Sequence, residues 1–480
     1  MKNLTYKISI VVLTLMFFIS CTSYFEEMNT NPNQFTNPST DLILPTVIIS
    51  AAYNYNSDVL RSFGGVYGQY YVNLTNLSPD RFIEYRGDFR NYFLIRHAQI
   101  IYEKAKAQNY PNRMGVALVL KAFMFAEITD EMGDIPYSEA VDYEKSLYPS
   151  YDKQEDIYLG ENGLLASLDE ANTLLSNIKD GLDPTSDILY GGNVMKWRKF
   201  ANSLRLRLLI RISNKTVVND KISEIVNNPA KYPIFEANTD NAELPYVDKN
   251  SSYASPFGVS TNLGNTYYNE RAACATVIDA LKEINDPRLK AYFDPIPSNL
   301  NVYVGIPSGI GSPSNFNGGE ANFSRLSSKF KQDANKFLPA KMLQYSEVMF
   351  LMAEAAQRHL ISGDGKDYYL KGIQASFDYW QVQPPVDYFI QEKVAYKGSL
   401  EQIITQKWMA NFCVGAEAWF DYRRTGFPQF YIGAATMLNG QFVKRLMYPV
   451  DEEANNLSSL KKAIQQQGEN NNLTKMWYLN

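Results

Sequence analysis

The sequence predicts a mostly α-helical protein built from paired helices, with two long irregular stretches laid over them. Three observations carry that expectation. Apolar residues recur at helical spacing in block after block, alanine is dense where helices would have to pack closely, and strand-like alternation is sparse. Met114, Ala117, Leu118, Phe125, Ile128 and Met132 mark one helix, and Leu164, Leu168, Ala171 and Leu175 a second. Trp197, Ala201, Leu204 and Leu208 mark a third, and residues 342–360, with Ala353, Ala355 and Ala356, a fourth. Residues 367–380 and 400–412 supply two more. Alanine-rich helices joined by short turns suggest tetratricopeptide-like pairs, although no clean 34-residue period is visible.

Two regions interrupt the periodicity. Residues 64–93 begin Gly-Gly-Val-Tyr-Gly-Gln-Tyr-Tyr, and residues 229–340 hold Pro295, Pro297, Pro307 and Pro313 among Gly305, Gly309, Gly311, Gly318 and Gly319. Connections of that length are usually functional or disordered. Aromatic residues interspersed through both, among them Tyr253, Phe257 and Phe323, favour an ordered, loop-rich lobe carrying a binding surface.

Composition narrows the function. Charged residues make up 20% of the 480 positions and hydrophobic ones 45%, a globular balance, and the net charge of −5 offers no footprint for nucleic acid. His97 and His359 are the two histidines, so a multi-histidine metal site is excluded, and each reads as a structural residue. No phosphate-binding loop, metalloprotease helix or nucleophile elbow is present. The Asp364-Gly365-Lys366-Asp367 run lacks the bidentate acid of a calcium loop and reads as a turn between helices. Arg198, Lys199, Arg205, Arg207, Arg211 and Lys215 share one helix and read as an ion-paired or solvated face. Against this stand 34 tyrosines, 26 phenylalanines and 5 tryptophans. Little catalytic hardware and much flat aromatic surface point to binding, with no catalytic residue, metal or cofactor expected.

The N-terminus reads as an address. Lys2 and Lys7 precede an apolar run from Ile8 to Ile19, about 12 residues against the roughly 20 of a membrane-spanning helix. Ser20 and Cys21 follow, resembling the lipobox of a bacterial lipoprotein, with Phe18 where an aliphatic residue is usual. Residues 1–20 are expected to be a signal peptide, 21–39 a tether lipidated at Cys21, and 40–480 a single α-helical domain. Cys274 and Cys413 lie in apolar stretches and read as buried free thiols.

Three further strings, in this order and spacing, resemble the SusD/RagB family of outer-membrane nutrient-binding lipoproteins. They are FMFAEITDEMGDIPYSEA (123–140), the paired-helix unit of residues 347–380, and QKWMANFCVGAEAWFDYRRTGFP (406–428). Read physically they are scaffold. Gly133 can end a helix at positive φ and Pro136 prevents it resuming, while Glu417, Arg423 and Arg424 suggest an ion-pair network beside Trp419. The resemblance implies a protein on the cell exterior, anchored by lipid, that captures oligosaccharides, or in some relatives peptides. It also implies a partner, a SusC-like TonB-dependent β-barrel transporter over which the protein closes as a lid. A surface hydrolase and an adhesion protein are the rival classes.

The ligand must be held by the loops. Sugar rings present an apolar CH face and a hydroxylated rim, which aromatic rings and neighbouring amides, carboxylates or guanidinium groups match. Tyr67, Tyr70, Tyr71, Asn73, Arg81 and Tyr85 in the first irregular region fit that mixture. Tyr267, Tyr268, Asn269, Tyr303, Asn315 and Phe316 in the second fit it too. Neither region contains tryptophan, which leaves room for peptide cargo.

Overall fold

A computed structural model describes residues 39–141, 146–246, 254–257, 262–332 and 334–479. Cys21, with the whole signal and tether, and Tyr253 lie outside the described residues.

The predicted helices form. The scaffold comprises α1 (Thr40–Arg61), α2 (Asn91–Ala107), α3 (Pro111–Met132), α4 (Leu164–Leu174) and α5 (Val194–Ile212). It continues through α6 (Ala275–Glu283), α7 (Tyr345–Gln357), α8 (Gly365–Trp380), α9 (Leu400–Ala410) and α10 (Glu417–Thr425). Neighbours in sequence pack as neighbours in space: α2 on α3, α3 on α4, α4 on α5, α7 on α8, and α9 against α7. Short connections fold α2 onto α3 and α7 onto α8, the tetratricopeptide-like arrangement anticipated from the alanine density, whereas longer loops join α3 to α4 and α4 to α5. α1 carries Pro45 within its first turns, and its apolar side chains Val47, Ile48, Ala51 and Ala52 are fully buried.

Helix ends follow local chemistry. Asn193 caps α5 by accepting from the Lys196 amide at 3.1 Å, and Ser399 caps α9 by accepting from Gln402 at 3.1 Å. The Asp364 run is indeed a cap: its side chain accepts from the Lys366 amide at 2.9 Å and starts α8. Gly133 ends α3 at φ 89°, and the chain passes directly into a strand containing Pro136.

Short antiparallel strand pairs stitch the irregular stretches to the helices. β1 (Tyr71–Asn73) pairs with β5 (Arg271–Ala273), so the two loop-rich regions are hydrogen-bonded to each other. β2 (Ile135–Pro136) pairs with β3 (Tyr151–Asp152). β4 (Ala242–Leu244) pairs with β6 (Ala340–Leu343), so the chain leaves the scaffold and returns to it at adjacent strands.

The scaffold core is unusually charged. Arg207 of α5 donates to Glu347 of α7 at 2.8 and 2.7 Å, and Arg211 donates to Glu417 of α10 at 2.6 Å. Lys407 of α9 holds Asp421 at 2.8 Å, and Arg424 reaches Glu354 at 2.6 Å and Asp421 at 2.7 Å. All of these side chains are buried. The surrounding cations hold Glu354, Glu417 and Asp421 below their ordinary range despite burial. The basic face of α5 is therefore interior and ion-paired. The pairing differs from the one expected near Trp419: Glu417 takes arginines from α5, Arg424 takes Glu354, and Arg423 stacks on the Trp419 ring at 3.8 Å. Helix-to-helix spacing brings α5 to Glu417 more directly than Glu417 can reach along its own short helix.

Cys274 and Cys413 are free and buried, their thiols pushed up to about 12 by desolvation. His97 donates from Nδ1–H to the Phe93 carbonyl (2.7 Å) one turn back on α2, and His359 follows α7 at φ 56°.

Candidate ligand-binding face

Gln69 is the residue that organises this face. It is fully buried at φ 50°, in the tight turn after the short helix Gly64–Tyr67. Its Nε2 donates to the Tyr431 carbonyl at 2.5 Å, its Oε1 accepts from the Tyr431 amide at 3.1 Å, and the same oxygen meets the hydroxyl of Thr276 on α6. One side chain thus joins the first irregular region, the start of α6 and the segment after α10. Arg81 adds a second tie, donating to the Gly311 carbonyl at 2.8 Å, while its own carbonyl accepts from the Met437 amide at 2.7 Å. Ala435 then donates to the Gly309 carbonyl at 3.0 Å. This contact requires glycine at 433, where a Cβ would lie 2.2 Å from the Gly309 carbonyl oxygen. Three segments, 69–83, 306–316 and 429–441, therefore meet on one face. Ile83, Tyr431 and Met437 are exposed on it, Tyr431 to 53%.

Beside this face lies a groove of about 860 Å³ between α6, residues 392–402, α9 and residues 428–429. Thr276, Asp279, Gln402, Thr405 and Gln429 line it with hydroxyl, carboxylate and amide groups over a floor that includes Trp408. Trp408 is held from behind. Its Nε1 donates to the Gly68 carbonyl at 2.7 Å, and its ring stacks on Tyr70 with the planes 10° apart. At the rim Lys393 is paired with Glu283, and Lys397 with Glu392 at 3.4 Å. Asp279 and Glu401 form no ion pair among the described residues, which leaves the groove net acidic. Thr276 belongs both to the groove and to the Gln69 junction, so the groove and the exposed face are continuous. Neither histidine lines it.

The structure separates the residues expected from sequence to meet ligand. Tyr67, Tyr70, Tyr71 and Asn73 are core, a correction to their expected role as an exposed platform. Tyr70 donates to the carbonyls of Trp408 (2.8 Å) and Asn411 (3.0 Å), Tyr71 to that of Val59 (2.6 Å), and Asn73 to Asp80 (2.7 Å). Tyr67 sits edge-on against Phe82 and Trp419 and tilted against Phe63. Burial raises all three phenols, which act as apolar wedges with one satisfied or enclosed tip. Tyr85 is half-buried against Ser62, whereas Arg81 remains partly exposed on the face described above. In the second cluster Tyr268 is buried and donates to the Leu326 carbonyl at 2.6 Å. Tyr267, Tyr303 and Phe316 are half-buried, and Asn269 and Asn315 are exposed. Arg81 brings the first cluster's segment to the second's at Gly311; Arg325 separately ties the Asn269 carbonyl, at 2.6 Å, to the Glu320 turn. Gln69, Thr276, Gln429 and Tyr431 were not singled out from sequence. The available signal was the Phe427-Pro428-Gln429-Phe430-Tyr431-Ile432-Gly433 run, an aromatic and glycine-bearing loop directly after the third string.

Comparison with known proteins adds to this geometry. Residues 32–449 match the SusD-like family described as starch-binding and associating with the outer membrane. The structure is similar to that of an outer-membrane protein from Bacteroides vulgatus described as involved in nutrient binding, with a TM-score of 0.80 and 27% identity. That alignment covers 92% of this chain and 100% of the other. A SusD homologue from Bacteroides fragilis aligns with a TM-score of 0.78, 27% identity, and 92% and 100% coverage. A chitin-binding protein aligns with a TM-score of 0.75, 26% identity, and 92% and 99% coverage. No curated protein sequence matches the chain significantly.

Proposed function

This chain belongs to the SusD-like family, and from that premise we propose that it is a surface-exposed outer-membrane lipoprotein, anchored through Cys21, that captures oligosaccharides without cleaving them and passes them to a SusC-like TonB-dependent transporter. The family is associated with the outer membrane, and no helix among the described residues is long and apolar enough to cross one. The observation that carries the ligand reading is the groove of about 860 Å³ running into the face of Tyr431 and Arg81. Its hydroxyl, amide and carboxylate lining suits a ligand that presents hydroxyl groups at a rim, and about 860 Å³ falls within the range of roughly 300–1,000 Å³ usual for small-molecule sites. Such sites favour preformed geometry, and Gln69 and Arg81 supply it by fixing the three segments before any ligand arrives.

Calorimetric titration of the mature protein with starch-derived and chitin-derived oligosaccharides tests the reading. Saturable binding with the ligand recovered intact is expected, and Gln429→Ala with Asp279→Ala should weaken it at least tenfold. Tyr431→Ala should weaken it several-fold while leaving the melting temperature within about 1 °C, because a surface truncation usually costs under about 0.5 kcal/mol. Binding of peptides and of no glycan would transfer the site to peptide cargo; release of shortened glycans would make the protein a hydrolase. Membrane fractionation of Cys21→Ala reads the anchor, and co-purification with a SusC-like barrel reads the partner.

A further inference from the structure

A cluster of buried carboxylates lies away from the groove, at the ends of two scaffold helices. Asp58 stands in the last turn of α1, and Glu127 and Glu131 occupy successive turns at the end of α3. Each of the three is at most 6% exposed, and each offers an oxygen within 4.8 Å of those of the other two. Helix C-termini carry negative partial charge, and α3 has no basic residue in its last turn to offset it. The compensation present is partial. Arg90 contacts Asp58 and also reaches Asp88 at 3.4 Å, so one guanidinium faces four carboxylates.

Hydrogen bonding leaves the same deficit. Asn91 donates to Oε2 of Glu127 at 2.8 Å, and is itself oriented by Asn54 at 2.8 Å. The other carboxylate oxygen, Oε1 of Glu127, is buried with no N–H or hydroxyl donor, and the one hydrogen bond open to this carboxyl besides Asn91 is a proton shared with Asp58. No donor among the described residues reaches the Glu131 carboxylate.

We infer that Asp58, Glu127 and Glu131 form an all-oxygen site for a hard divalent cation of calcium size, which clamps the C-terminal ends of α1 and α3 together. Oxygens up to 4.8 Å apart are spanned by a central cation with ligands at about 2.3–2.6 Å, the calcium range, and three carboxylates with no nitrogen or sulfur donor exclude a preference for softer metals. Ligation would give Oε1 of Glu127 its missing partner. It would also fix the base of the first irregular region, since Ser62 follows α1 directly and contacts Tyr85 across the loop.

The test is calorimetry and thermal melting of the mature protein, stripped with chelator, at pH 7.5 in 0.15 M KCl. Calcium should bind at one saturable site and raise the melting temperature by several degrees, with magnesium weaker. Glu131→Gln should weaken calcium binding at least tenfold while keeping the metal-free fold, because it removes a like charge. Asp279→Asn, in the groove, should leave calcium binding unchanged. Should Glu131→Gln fail to fold, terbium luminescence sensitised by the nearby Tyr85 and competed away by calcium in the unaltered protein gives the same answer. The inference is overturned if calcium, magnesium and manganese all leave heat and melting unchanged, or if Glu131→Gln binds calcium as the parent does. It is equally overturned if the cluster responds to pH alone, which would mean that shared protons supply the compensation.

Discussion

The helical scaffold and the candidate ligand-binding face use polar residues in opposite ways. In the scaffold, Arg207, Arg211, Lys407 and Arg424 are each matched to Glu347, Glu417, Asp421 or Glu354, although Nη1 of Arg211 is buried without a hydrogen bond. On the face, polar groups are spent on the chain path: Gln69 and Arg81 bond backbone atoms of distant loops, and the groove's Asp279 and Glu401 are left without ion partners. Saturation specifies one arrangement of helices; incompleteness is what a ligand can complete.

The largest effect expected from breaking that contrast is in the scaffold. Glu347→Ala leaves the buried Arg207 with the Met342 carbonyl and a longer contact to Glu417 at 3.6 Å, and removing one member of a buried pair costs about 3–5 kcal/mol. Denaturant unfolding should show the midpoint fall accordingly, with ligand affinity unchanged in the fraction that remains folded. Gln69→Ala should reverse the weighting. It leaves the Tyr431 amide and the Thr276 hydroxyl without their partner, a loss of about 1–3 kcal/mol, yet the groove and face lose their junction, so calorimetry should show affinity falling more than tenfold.

The smallest effect concerns pH and lies between the two regions. Burial raises Asp80 to about 7, against hydrogen bonds from Asn73 and the charge of Arg271, which lower it. A carboxyl raised in the folded state contributes stability that is fully present below its unfolded range and is lost as pH rises through about 7. Thermal melting should therefore decline modestly from pH 5 to pH 7 and level off by pH 8, and Asp80→Asn should flatten part of that slope. Three carboxylates of the scaffold's ion-pair network behave with the opposite sign. Glu354, Glu417 and Asp421 are depressed, so their contribution holds above the ordinary carboxylate range and is lost only on strong acidification.

How far each region was legible in the sequence follows from the same contrast. Helices announce themselves through periodicity within one stretch, and α3, α4, α5, α7, α8 and α9 stand where their apolar spacing put them. α1 was not singled out, because it lies where polar, turn-forming residues such as Asn54, Asn56 and Ser57 break its apolar spacing. The tyrosines of 67–71 misled for a physical reason. A tyrosine beside glycines is as able to fill the space those glycines leave as to face a ligand, and here Tyr67, Tyr70 and Tyr71 do the former. The groove was invisible because its walls come from positions more than a hundred residues apart, Thr276 to Gln429. The carboxylate cluster escaped for a related reason: counting histidines excludes nitrogen sites, while Asp58 and the Glu127 turn are joined only by helix packing.

The adjacency of β4 and β6 has a consequence for how such a protein can diversify. Everything between Leu244 and Ala340 departs and returns through one seam of paired strands, but it is also pinned inside the scaffold, where Arg288 donates to Ser376 and Gln406 and Tyr292 to the Met409 carbonyl. The exposed turn at 297–301 stands outside both ties. Change in this segment is therefore open to such turns, while the seam and the buried anchors go on carrying the load of folding.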